Sequence, residues 1–437
     1  MKKILCTIVL ATSALALGAQ EWQDAYLFSE NNYVGTARSA AMGNAMTALG
    51  GDPGSLSFNP AGSSVSAYSQ VYFGAGVSIS TAYATGTIAE GDTQAIGFGY
   101  DTKSTYSRPK LPNMGAVISV DTGRRSGLKR HSFGFVYNTT NDYTHRLKAS
   151  GINSNNSFAG SLAAGADGFL TDVMANEDWM FYGDASRMPR WIDMTGYRSG
   201  IISGVTGADG AYIGLTEVMD ENGDFRLAAP VYQEYGRQTR GWKGDLIMNW
   251  SANFSDKFFV GANLTVVTNN YTLNEYWYEA PDNAEDFAPI SFSDGTTARF
   301  QSLRMKRYYA MEGSGINLKV GAIWLPFNGL RLGAAIQTPT ATNITERYSY
   351  TGESSLSGMY RSPVSSEEDV WTYALTEPFR YNLGAALAVG KLALLSADYE
   401  YANYGQCRFG SSTGDDFGGG SSDFDYVNQD IADILGA

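Results

Sequence analysis

The chain has 437 residues, 17% of them charged, a net charge of −13 and two cysteines, Cys6 and Cys407. The acidic balance excludes nucleic acid as a partner, because neutralising phosphates takes a basic face. It also has no means of building a disulfide-stapled scaffold, since Cys6 falls in the leader described next and a lone Cys407 makes no intramolecular bridge.

Residues 1–19 read as a secretory signal peptide: a basic Met1-Lys2-Lys3, an apolar run from Ile4 to Leu10, then small residues from Ala11 to Ala19. Cleavage near Ala19-Gln20 removes Lys2 and Lys3 and takes the charge to −15. No later segment reaches the roughly 18 apolar residues of a spanning helix, so any membrane span has to be a barrel. Fifty glycines and 28 tyrosines suit sheets with many turns and alternating faces. A large soluble β-protein would share that composition.

Residues 20–62 form a compact non-strand segment. Ala40 to Leu49 is helix-like, Gly50-Gly51-Asp52-Pro53-Gly54 stops it, and Asn59-Pro60-Ala61-Gly62 makes a second turn. Period-2 alternation starts at Ala67, with Val71, Phe73, Ala75, Val77 and Ile79 on one face. Leu111 to Val120 and a strand from Arg130 continue it. Trp242 to Val267 reads as a hairpin, with Leu246, Met248, Trp250, Ala252 and Phe254 before Ser255-Asp256-Lys257 and Phe258, Val260, Ala262, Leu264 and Val266 after it. Two more hairpins turn at Pro326-Phe327-Asn328-Gly329 and at Gly390-Lys391. Short turns thus alternate with long polar connections, as in outer-membrane barrels. The longest connection, about 141–240, contains a helix-compatible piece from Phe158 to Met174 and two turn tetrapeptides, Gly165-Ala166-Asp167-Gly168 and Gly207-Ala208-Asp209-Gly210.

Three stretches resemble the FadL/TodX family of outer-membrane transporters in the form common in Bacteroidetes. They are Tyr33 to Gly43 with Ala48 to Pro53 and Asn59-Pro60-Ala61-Gly62, then Leu330 to Pro339, and Glu377 to Gly384. The resemblance implies an all-β fold: a transmembrane antiparallel β-barrel of about fourteen strands (63–437), with an N-terminal hatch (20–62) plugging it. It further implies a bacterial outer-membrane location and passive uptake of hydrophobic molecules such as long-chain fatty acids or aromatic compounds, released laterally. About nine or ten strands are countable, and the chain stops at Asp430 to Ala437 without a terminal aromatic strand, so truncation before the last strands is expected.

Within this reading Asn59, Pro60 and Ala61 hold the hatch, against the alternative of a plain turn. Met42, Met46, Leu49, Leu56 and Phe58 are candidates for substrate contact, against ordinary packing of the hatch on the wall. Trp242, Tyr271, Trp277 and Tyr278 read as an interface girdle. Enzymatic chemistry is not expected: His131 and His145 are the only histidines, and His131 lies at the start of an alternating strand, not in a hydrolase triad setting. No cofactor or metal is expected either, because Asp220 to Asp224 starts like a calcium loop but Phe225 replaces its turn glycine. The partners expected are a hydrophobic small molecule and outer-membrane lipid, with the chain a monomer. The alternative is a non-transporting surface barrel whose loops bind a host or matrix partner.

Overall fold

In the computed structural model the described residues are 21–84, 102–178, 180, 188–291, 295–359, 361–390, 392–412 and 424–436. Residues 1–19, read as a signal peptide, lie outside them. One antiparallel sheet, curled as a half-barrel, dominates the molecule. Its strands are β1 Gln70–Ala84, β2 Thr102–Asp121, β3 Leu128–Asp142, β4 His145–Asn153, β5 Val231–Phe254, β6 Phe258–Pro281, β7 Phe300–Phe327, β8 Leu330–Gln337, β9 Ala341–Leu356, β10 Asp369–Thr376, β11 Arg380–Val389, β12 Ala393–Ala402 and β13 Arg408–Ser411.

Several of these are halves of one stave. β3 and β4 together line β5, β8 and β9 together line β7, β10 and β11 line that pair, and β12 and β13 follow. The ladder from β1 to β12 therefore holds nine staves. The fourteen-strand ring implied by the resemblance differs from this: among the described residues no ladder joins β1 to β12. Two breaks fall at Pro339 and Pro378, whose missing N–H interrupts a ladder.

The strand ends joined by close connections, β2 to β3, β5 to β6, β7 to β8 and β11 to β12, all lie at one end of the sheet. The 255–257 turn is tight because Ser255 and Asp256 both take positive φ (56° each), the primed geometry that matches strand twist. Asn253 locks it by accepting from the Asp256 N–H at 2.9 Å.

The two faces differ by residue parity. Along the short-turn half of β6 the even positions Phe258, Val260, Ala262, Leu264 and Val266 point outward, and Phe259, Asn263, Thr265 and Val267 are buried inward. The same outward band continues through Val71 (88% exposed), Phe133, Trp250, Ile316, Leu318, Leu383 and Tyr399. Nine residues rise roughly 30 Å along a strand, which after tilting matches an apolar band about 25 Å tall. In water so large an exposed apolar belt would drive aggregation.

Inside the sheet, helix α1 (Trp22–Ser29), helix α2 (Ala37–Ala41) and two 3-10 turns (Pro53–Ser57, Pro60–Val65) pack on the inner face. Between β4 and β5 a separate core forms around Ala159, Leu162, Met194 and Tyr212 and covers Leu303 and Met305 of β7. The expected single helix from Phe158 to Met174 is two: α3 (Phe158–Ala166) and α4 (Thr171–Ala175). Gly168, at φ 93°, breaks them apart. The two tetrapeptides meet there, with the Gly168 N–H donating to the Gly210 carbonyl at 2.8 Å. Helix α5 (Trp191–Arg198) and the C-terminal α6 (Asp425–Leu435) complete the chain, α6 resting on α1.

Candidate lumenal cavity and the segment beneath it

The N-terminal segment is seated by wall side chains that reach its backbone. Asn59 is fully buried; its Nδ2 donates to the carbonyls of Thr47 (2.8 Å) and Ala322 (3.0 Å), and its Oδ1 accepts from Ala61 N–H at 3.0 Å. Asn263 donates to Leu56 O at 2.8 Å, Asn249 to Pro60 O at 3.0 Å, Arg331 to Leu49 O at 2.6 Å, and Lys319 to Ser57 O. In return the Thr47 N–H donates to Asp398 Oδ2 at 2.6 Å. These turns lack a ladder, so side chains of the sheet satisfy groups that burial would otherwise strand.

Such closeness needs glycine in the wall. A Cβ at Gly261 would stand 2.5 Å from the Pro60 carbonyl carbon, one at Gly321 would overlap Asn59 Oδ1, and one at Gly333 would overlap Thr47 O. Gly384 completes the stripe, 2.8 Å from Thr47 Cβ by the same construction.

Higher up, the end of α1 is fixed by charge. Buried Lys243 donates to Phe28 O at 2.9 Å and pairs with Glu377 at 3.0 Å. Buried Arg380 donates to Ser29 O and pairs with Glu400 at 2.9 Å, which also accepts from Tyr33 at 3.2 Å. Buried ions persist only with such partners.

Above this layer lies a cavity of about 740 Å³. Its floor is α1, with Glu21, Asp24 and Leu27. Its walls are Arg237, Tyr271, Leu273, Arg307, Tyr309, Tyr348 and Trp371, and Met188 to Trp191 roof it. Trp191 Nε1 donates to Asp369 Oδ2 at 3.1 Å, joining roof to wall. Burial pushes the Asp24 carboxyl up to about 6; the Glu21 N–H bonded to it and the charges of Arg307 and Arg237 counter part of that. Aromatic walls with a few charges suit a ligand that is mostly apolar with one polar end.

The residues singled out in the sequence fall below this cavity. Asn59, Pro60 and Ala61 form the buried clasp just described. Met46, Leu49 and Phe58 pack with Met42, Tyr33 and Ala386, and Leu56 packs with Val117, Val136 and Ile247. None of the five is among the residues lining the 740 Å³ cavity.

Trp242, read as part of a girdle, is outward and 39% exposed, as that reading requires. The reading fails for Tyr271, 4% exposed on the inner face, and for Trp277, which stacks on Phe158 at 5.2 Å beneath the excursion. Odd parity on β6 points both inward. Asp220 accepts from the N–H groups of Asn222 (2.9 Å) and Asp224 (3.0 Å), an ordinary turn.

The cavity residues Arg237, Leu273, Arg307 and Tyr309 escaped sequence reading. Their signal was a switch of faces along β6. Beyond Val266 the even positions turn polar (Thr268, Asn270, Thr272, Asn274) while the odd ones become Tyr271 and Leu273.

The wall is also split. β2 pairs with β3 only from Asn113 to Asp121, and residues 102–110 of β2 pair with β1 alone. The split opens a second cavity of about 560 Å³, spanned by the Lys110–Asp142 ion pair at 2.8 Å.

No family model and no curated protein matches the sequence. Among solved structures the chain is similar to the crystal structure of the Pseudomonas putida toluene transporter TodX, with 12% identity, a TM-score of 0.39, and 88% of this chain and 75% of that chain covered.

Proposed function

We propose that the chain is an outer-membrane transport protein through which hydrophobic small molecules, such as long-chain fatty acids or aromatic compounds, pass down their gradient, with no enzymatic step. The observation that carries this reading is the outward apolar band around a sheet whose inner face is polar and occupied. An apolar exterior of that height fits a bilayer, and among the described residues no helix is long and apolar enough to span one. The ligand enters the aromatic cavity above α1, residues 20–62 act as its hatch, and the split beside β2 offers a sideways exit.

In this scheme Asn59, Pro60 and Ala61 fix the hatch, and Met42, Met46, Leu49, Leu56 and Phe58 meet the ligand when it shifts. The protein works as a monomer. Uptake of a fluorescent fatty acid into proteoliposomes, with the full chain and with residues 20–62 deleted, tests it. Faster uptake by the deletion variant is expected. If neither version moves any hydrophobic probe, transport is wrong and a surface barrel that binds partners through its loops is the better reading.

A further inference from the structure

We propose that Arg108, Lys110, Arg146 and Arg240 form a surface site for the phosphorylated headgroup of an anionic membrane lipid, with Trp242 marking where its acyl chains begin. The inference rests on the reading that the apolar band spans a membrane.

Position along β5 supplies the first argument. Leu246, Met248 and Trp250 face the band, Trp242 is outward on the same face and 39% exposed, and Arg240 stands two positions further from the short turn on that face. Arg146 belongs to that face as well: it stands opposite Gln238 in the ladder and donates to its Oε1 at 2.8 Å. Cations just beyond an aromatic rim sit at the depth of lipid headgroups.

Preorganisation supplies the second. The Tyr106 ring of β2 lies 4.8 Å from the Arg146 guanidinium and 5.5 Å from that of Arg240. A guanidinium held by its face keeps its N–H edge for an anion. Arg108 and Lys110 line the 560 Å³ cavity alongside Leu111, Tyr137 and Trp242, so cationic and apolar lining meet in one place. Asp142 binds Lys110. With Lys110 paired to Asp142, three arginines gathered beside it in a chain of net charge −13 make the patch charge-complementary to phosphate.

The test compares the full chain with the triple variant R108Q/R146Q/R240Q; none of its positions belongs to the hatch or the upper cavity, and because Arg108 lines the proposed exit the readout is lipid binding, not uptake. Native mass spectrometry would follow the purified proteins with diphosphoryl lipid A, phosphatidylcholine or inorganic phosphate. Lipid A adducts on the full chain, weakened roughly a hundredfold in the variant on about 1 kcal/mol per cation near a charged surface, are the expected result. Equal binding by the variant, or inorganic phosphate binding as well as lipid A does, would overturn the site. Flotation with phosphatidylcholine vesicles reads the band separately. A chain that inserts there but shows no lipid A preference loses only this inference, and one that does not insert loses both readings.

Discussion

Asn59 and Gly321 occupy one space: the Asn59 amide lies where any side chain on Gly321 would have to go. Gly321→Ala should therefore lift the clasp off β7 and destabilise the protein by about 1–3 kcal/mol, the usual cost of overpacking. Thermal unfolding in detergent measures it. An unchanged midpoint would mean that the segment is not held against the wall.

Asn59→Ala removes the donor to Thr47 O and Ala322 O, both facing a buried amide. Each stranded group costs about 1–3 kcal/mol. Increased proteolysis within residues 36–66 is the expected readout, and protection equal to the native chain would count against the clasp.

Lys243→Met leaves Glu377 buried without its ammonium partner and frees Phe28 O. Breaking a buried pair from one side costs about 3–5 kcal/mol. The double change Lys243→Met with Glu377→Leu should regain much of that loss; no recovery would refute the coupling.

Asp24 gives a pH dependence. Its folded carboxyl holds its proton up to about 6 against an ordinary 3.8, so the folded state binds protons more readily than the unfolded one. The stabilisation is fully present below pH 4 and is lost as pH rises through 6. The protection factor of α1, exchange corrected for its intrinsic rise with pH, should fall across that window in the native chain and stay flat in Asp24→Asn. The same slope in both would assign it elsewhere.

Leu273→Trp should fill the upper cavity and lower the amount of hydrophobic probe retained after purification, with little change in unfolding temperature. Undiminished retention would place the ligand elsewhere.

How much of this was legible in the sequence depends on parity. The hairpin from Trp242 to Val267 was readable because its apolar residues keep one parity beside a short turn, and pairing follows that register from Phe254↔Phe258 upward. Tyr271 and Trp277 were misplaced because an aromatic near a strand end looks alike on either face until parity is counted through the strand. The clasp's turns were visible in Asn59-Pro60. Its wall partners Gly261, Gly321, Gly333 and Gly384 were not, since what a mid-strand glycine accommodates is a neighbour distant in sequence. The Lys243–Glu377 ion pair and the Arg380 bond to Ser29 O join residues more than a hundred positions apart, which no local pattern encodes.

The glycine stripe also sets an order of assembly. Asn59 bonds Ala322 across 263 positions and Thr47 bonds Asp398 across 351, so the clasp has no seat until strands that far along the chain are in place. Contacts of such separation form late. The glycines must wait as a bare groove, and folding should end with a slow step in which residues 47–61 dock onto the assembled wall.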